Sequence, residues 1–160
     1  MIFVTVGTHT QGFERLIKAV DELAKKNKEK FIIQTGNTKY LPKNCEHFKF
    51  VSDSEFKKLC KKSRLIITHG GVGSIMAALS LGKPAIVAPR LKKYNEHLDD
   101  HQLDIAHELE KQGRIIALYD VNRLEKAIKK AEKFKPKKFK ETRKIPKIIE
   151  SFISNLEREL

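Results

Sequence analysis

Six short apolar runs, spaced along the chain with helix-like segments or loops between them, leave this sequence few ways to fold. They occupy residues 2–6 (IFVTV), 31–35 (FIIQT), 48–52 (FKFVS), 65–68 (LIIT), 85–89 (AIVAP) and 114–119 (RIIALY). Most are apolar almost throughout instead of alternating with polar residues. A strand of that kind must hide both faces, which requires helices on both sides of a parallel sheet. The intervening segments supply them. Residues 13–24 place Phe13, Leu16, Ile17, Val20 and Leu23 on one helical face, and 98–112 place Leu98, Gln102, Ile105, Ala106 and Leu109 in a stripe ended by Gly113. Ser52 or Asp53 can cap a helix reaching Lys62, and Asp120 or Asn122 another. The expected class is α/β, a doubly wound, Rossmann-like parallel sheet with the 48–52 run at an edge.

At 160 residues the chain fits one domain. Its opening, MIFVTVG, reads as a strand and not as a leader, and no apolar run approaches the roughly 18 residues that span a membrane. Cys45 and Cys60 lack CxxC spacing and read as a reduced, incidental pair. The net charge of +13 is concentrated: residues 126–147 hold eleven Lys or Arg against Glu132 and Glu141, a net of +9. The expected organisation is therefore a ligand-binding domain over 1–125 and a basic segment over 126–147. An amphipathic helix over 148–160 follows, with Ile148, Ile149, Phe152, Ile153 and Leu156 on one face. The basic segment suits an anionic membrane surface or an acidic partner. Phe134 and Phe139 are its only aromatics, too few for single-strand stacking, so nucleic acid is not expected.

In doubly wound sheets ligands bind outside the C-terminal ends of the strands. Three loops fall there. Gly7-Thr8-His9-Thr10-Gln11-Gly12 follows the first run, and His69-Gly70-Gly71-Val72-Gly73-Ser74 follows the fourth. Both put glycine and hydroxyl residues at a helix start, where free N–H groups and the positive dipole end favour phosphate. Neither ends in the Gly-Lys-Ser/Thr of a P-loop, and Gly71-x-Gly73 is followed by Met76 where a dinucleotide fingerprint has its third glycine. No acid ends the second strand to hold a nicotinamide cofactor's ribose, which argues against an oxidoreductase. The third loop, 90–102, is long and polar, and its carboxylates, histidines and amide suit a polyol such as a sugar ring. His97 and His101 at i, i+4 beside Asp100 are a metal-like spacing without an HExxH pattern, and no metal is expected.

Together VTVGTHTQGFERLI, IIQTGN, FVSD, HGGVGS, GKPAIVAP and above all KKYNEHLDDHQLDIAHELEKQG resemble the donor-binding, C-terminal domain of glycosyltransferase family 28, in the GT-B superfamily. They are most similar to its single-domain subunits in exopolysaccharide, capsule and lipid-linked N-glycan GlcNAc transferases. The resemblance implies a UDP-sugar-dependent hexosyltransferase that transfers a hexose or GlcNAc to a lipid-linked acceptor. It also implies a membrane-anchored, acceptor-binding partner subunit, no cofactor, and a cytoplasmic location at the membrane face. By the same resemblance Phe50 and Val51 meet the uracil. Thr8 and Gly70, Gly71, Val72, Gly73 and Ser74 cradle the diphosphate, and Glu96, Asp100, His101 and Gln102 read the donor sugar. Ala77 stands where many relatives have a ribose-binding glutamate. His9 and His69 are candidate bases on this chain, although relatives place that base on the acceptor half. The alternative readings are a non-catalytic enhancer of such a pair and, more remotely, a basic nucleic-acid-binding domain.

Overall fold

A computed structural model describes residues 1–137. Six strands form one parallel sheet: β1 (Ile2–Thr5), β2 (Phe31–Gln34), β3 (Glu46–Phe48), β4 (Leu65–His69), β5 (Ala85–Ala88) and β6 (Ile116–Ala117). Their spatial order is β3-β2-β1-β4-β5-β6, the doubly wound arrangement whose topological switch lies between β1 and β4. At this centre Ile2 lies in register with both Phe31 and Leu65, and Thr5 with both Gln34 and Thr68.

The period-two geometry of strands sorts the core into two layers. Ile2, Val4, Leu65, Ile67, Ile86 and Ala88 face α1 (Glu14–Lys26) and α5 (Leu124–Lys133). Phe3, Ile66, Ala85 and Val87 face α2 (Asp53–Lys62), α3 (Val72–Ser80) and α4 (His101–Lys111). All of these strand residues are fully buried, each large one contributing about 1.5–3 kcal/mol. The helices begin and end where local chemistry allows. Ser52 Oγ accepts from Glu55 N at 3.3 Å to start α2. Lys25 and Lys26 close α1 on the negative end of its dipole. Gly82, at φ +64°, turns the chain out of α3.

Between β2 and β3 there is no helix, so another element must organise the connection. Asp21 of α1 does this from a buried position, its carboxylate accepting from Tyr40 Oη at 2.7 Å, Asn44 N at 2.7 Å and Lys43 N at 3.0 Å. Burial pushes its pKa up, but these hydrogen bonds outweigh burial and hold it below the ordinary carboxylate value.

Several sequence expectations shift. The third strand is an edge strand, but it lies at 46–48, so Phe50 and Val51 belong to the loop beyond it. The 98–112 helix starts only at His101, because 95–100 turns outward first, with Asn95 at φ +55°. Leu98 therefore leaves the expected stripe and is 74% exposed. The last strand contracts to two residues, and Asp120 caps a 3-10 turn that feeds α5. The basic stretch counted from 126 begins inside α5, whose Leu124, Ala127, Ile128 and Ala131 pack in the core. Residues 138–160, with most of the expected basic segment's second half and the amphipathic helix, lie outside the described residues.

Candidate functional site

The three loops singled out in the sequence converge at the C-terminal rim of β1, β4 and β5. Their meeting point is His69, at the end of β4. A methyl group on Gly7 would come within 2.5 Å of its ring, and one on Gly71 would overlap the ring from the other loop. The imidazole is thus wedged between the two glycine loops and sets their spacing. Gly70 has a different neighbour, since a methyl there would meet Gln102 Cβ at 2.5 Å. Gly73 has none: a methyl on it would meet nothing within 4 Å. Three of these four glycines are packing requirements, and packing inside the chain does not explain the fourth, Gly73.

The N-terminus of α3 stands beside that open space. Gly71 is the N-cap and offers no side-chain acceptor, and Ile75 N already donates to the Gly71 carbonyl at 3.2 Å. Ser74 Oγ turns back onto the same carbonyl at 3.0 Å and accepts from Thr68 Oγ1 at 2.6 Å. Among the described residues nothing accepts from the N–H groups of Val72, Gly73 and Ser74. Helix starts leave such donors bare, with about half a positive charge behind them.

The third loop is organised by groups that the sequence offered as ligand contacts. Gln102 is buried, and its Oε1 accepts from both Gly70 N and Arg90 N, each at 3.0 Å. Two backbone donors fix which amide atom is the oxygen, so Nε2 is the end that can still donate, and it has no partner among the described residues. Glu96 is buried too. It takes Arg15 through both oxygens, at 2.8 and 3.0 Å, and accepts from Leu91 N at 3.0 Å. Asp100 Oδ1 accepts from Lys92 N at 2.8 Å. His97 Nδ1 accepts from Asp99 N at 3.4 Å and lies 3.0 Å from Asp99 Oδ1, and Asp99 Oδ2 lies 3.9 Å from His101 Nε2.

Arg90, at the start of the third loop, is among the largest fully buried side chains of the described residues. Its guanidinium donates to the carbonyls of Val6 at 2.7 Å, Gln11 and Gly12 at 2.9 Å, and Glu96 at 3.0 Å, and it lies 5.0 Å from the Phe13 ring centre. Burial pushes its pKa down to about 10, which leaves it charged at neutral pH. The run Pro89-Arg90-Leu91 at a strand end was the available signal, because a charged residue flanked by buried apolar ones needs internal acceptors.

The two histidine candidates differ in character. Burial, with Arg90 adding to it, pushes His69 down to about 3, so it is neutral. His9 is also lowered, by burial first and then by His97 and Arg90. Its ring lies against that of His97, tilted by 32° with centres 4.8 Å apart, and its Nδ1 accepts from Gln11 N at 3.3 Å. A neutral imidazole that accepts at Nδ1 carries its proton on Nε2, so His9 offers a donor there.

The remaining expected contacts are separate. Phe50, 44% exposed, and Val51 follow β3. A cavity of about 550 Å³ at the ends of β2 and β3 is lined by Thr35, Gly36, Asn37, Lys39, Phe48 and Lys49 without either of them. Val51 instead lines a second cavity of about 560 Å³ with Ile32, Phe48 and Leu59. Thr8 is exposed on the first loop, and Ala77 is half-buried on the second turn of α3.

This arrangement has relatives. A family model described as the glycosyltransferase family 28 C-terminal domain matches residues 1–156. The human UDP-N-acetylglucosamine transferase subunit ALG13 is 33% identical over 125 residues, covering 71% of this chain and 10% of that protein. The ALG13 subunit of Candida albicans (strain SC5314 / ATCC MYA-2876) is 34% identical over 90 residues, covering 56% of this chain and 29% of that one. The chain therefore spans less than a third of the length of these curated relatives. An NMR structure of ALG13 superposes with a TM-score of 0.57 at 25% identity, covering 84% of this chain and 87% of the other. The calicheamicin glycosyltransferase CalG4 superposes with a TM-score of 0.63 at 15% identity, covering 82% of this chain and 34% of CalG4, a likeness of fold.

Proposed function

The chain belongs to the glycosyltransferase family 28 C-terminal domain family, and from that membership we propose that it is the donor-binding subunit of a UDP-sugar-dependent hexosyltransferase. The observation that carries this reading is the start of α3, where the backbone N–H groups of Val72, Gly73 and Ser74 have no acceptor among the described residues and a methyl on Gly73 would meet nothing within 4 Å. A diphosphate fits both features. When the sugar–phosphate bond breaks, negative charge develops on the leaving UDP, and fixed amides at a helix start stabilise it without reorganising. No metal is needed for that role. Thr8 and the Nε2–H of His9 extend the donor set from the first loop, and the loop after β3, with Phe50 and Val51, takes the uracil.

The sugar lies against the third loop. Gln102 reads it through Nε2 alone, as a donor, because Oε1 is already committed to Gly70 and Arg90. Glu96 acts from behind by holding Arg15 and Leu91, while Asp100 and His101 supply the exposed polar groups. The names of the ALG13 relatives favour N-acetylglucosamine as the sugar. Inversion at the anomeric carbon needs a base for the acceptor hydroxyl. Neither His69, wedged and with its pKa pushed down to about 3, nor His9, protonated on Nε2, suits that role. The base therefore comes from a membrane-anchored acceptor subunit, which also presents the lipid-linked acceptor and brings this chain to the cytoplasmic face of the membrane. Lysines of the basic segment add contact with anionic headgroups.

Thermal shift of the purified chain with UDP, beside NAD and CMP, tests the donor reading. Ligand at a hundredfold excess over its Kd adds about 2.7 kcal/mol of stability, so UDP alone should raise Tm. Absence of UDP binding both in the isolated chain and in a co-expressed pair would sink the proposal.

A further inference from the structure

We infer that Arg90 is a positioning residue for donor binding, whose guanidinium locks the first glycine loop to the third loop so that Thr8 and His9 are presented in one fixed arrangement. This rests on the donor-binding reading above. Of its four carbonyl partners, Val6, Gln11 and Gly12 bracket the first loop on both sides of Thr8 and His9, and the fourth, Glu96, belongs to the third loop. The contacts span up to 84 residues of sequence. A planar fork can satisfy several carbonyls at fixed angles, whereas an ammonium on a flexible stem cannot hold the same set. Among the described residues the side chain makes no ion pair with a carboxylate, since the oxygens of Glu96 are directed to Arg15 and Leu91 N. Its function within the fold is therefore to shape backbone. Packing reinforces it, because Phe13 lies 5.0 Å from both Arg90 and Arg15. The Gln11 amide that donates to His9 Nδ1 belongs to a residue whose carbonyl Arg90 holds, which links the guanidinium directly to the tautomer of His9. Preorganised first contacts of this sort depend on supporting groups placed to within about 0.5 Å.

The test has a ligand-free arm and a ligand arm. In the wild-type protein the Arg90 Nη protons should give separate NMR signals, because four carbonyls prevent the guanidinium from rotating. One averaged signal would overturn the inference. Imidazole ¹⁵N spectra of Arg90→Lys and Arg90→Met, each checked for fold by circular dichroism, form the second ligand-free measurement. Both variants should lose the single Nε2–H tautomer of His9, and in Arg90→Met its titration should also move up toward the ordinary value of about 6.5. In the ligand arm, the Kd for UDP should weaken about tenfold or more in both variants, with lysine failing to rescue despite its charge. Folded variants with an unchanged His9 spectrum and unchanged UDP affinity would refute the role. If UDP binds neither the wild-type chain nor its co-expressed pair, the donor reading falls, and the two ligand-free measurements still decide the position of the loop.

Discussion

At the C-terminal rim of the sheet several charged and polar side chains are buried while some apolar ones are exposed, and at the N-terminal rim the lysines are in solvent. Arg90, Glu96 and Gln102 are 1%, 4% and 7% exposed, while Tyr94 and Leu98 on the same loop are 54% and 74% exposed. At the opposite rim Lys28, Lys30, Lys61 and Lys62 are solvated. Among the described residues, ion pairs tie it at two places: Glu29 holds the N-terminal amino group at 3.0 Å and pairs with Arg64, and Lys30 reaches Glu46 at 2.7 Å from an exposed position. A loop that buries its charges has hydrogen-bonded them to one another and to backbone, and so has one shape. A rim that exposes its lysines has many. The first arrangement suits a surface that must fit a ligand and a partner, and the second suits solubility and helix-end electrostatics.

The sharpest way to break this comparison is to place a methyl group at each rim. Gly70→Ala drives a Cβ into Gln102 and disturbs the two hydrogen bonds that join the β4 and β5 loops, so it should cost about 3 kcal/mol in denaturant unfolding. Lys28→Ala, at the solvated rim, should fall within about 0.5 kcal/mol. Equal effects would mean that the C-terminal rim is no more rigid than the other.

Acid titration separates the rims by pH. Folded His69 sits at about 3 against the ordinary 6.5, so between these values the unfolded chain binds a proton that the native state refuses. Stability should therefore fall as pH drops below about 6.5. Glu29 behaves otherwise, because hydrogen bonding to Arg64 holds it below 4.5, and its contribution is lost only beneath that value. The slope from pH 6.5 to 4.5 belongs to the C-terminal rim, and His69→Gln should flatten it. A wild-type profile already flat over that window would show that the imidazole is not held neutral.

The smallest expected effect has the opposite sign. Gly73→Ala has room for its methyl in the first turn of α3, so it should stabilise the free protein by about 0.5–1 kcal/mol. The same variant should bind UDP more weakly, because the methyl occupies the space proposed for the diphosphate. Stabilisation with unchanged UDP affinity would leave Gly73 without a ligand-related reason and move the diphosphate elsewhere.

Local chemistry carried the sequence reading as far as local chemistry reaches. Runs apolar on both faces specified a parallel sheet with helices on each side, because strand periodicity and burial are properties of four or five neighbouring residues. Glycine and hydroxyl residues at strand ends marked the loops that matter, because a helix start is also a local event. For the same reason Phe50 and Val51 fall outside the strand that the 48–52 run predicts, while Phe48 ends it. Their β-propensity is real, but the edge pairs with β2 only at 46–48, and register is decided across strands. What only the tertiary structure decided is how the loops share atoms. Gly7 and Gly71 are glycines because of His69, Gly70 because of Gln102, and Arg90 is buried because Val6, 84 residues away, offers it a carbonyl. Those constraints arise where distant segments meet, and a side chain's partner across such a distance is set by the packing of the sheet and not by its neighbours in the chain.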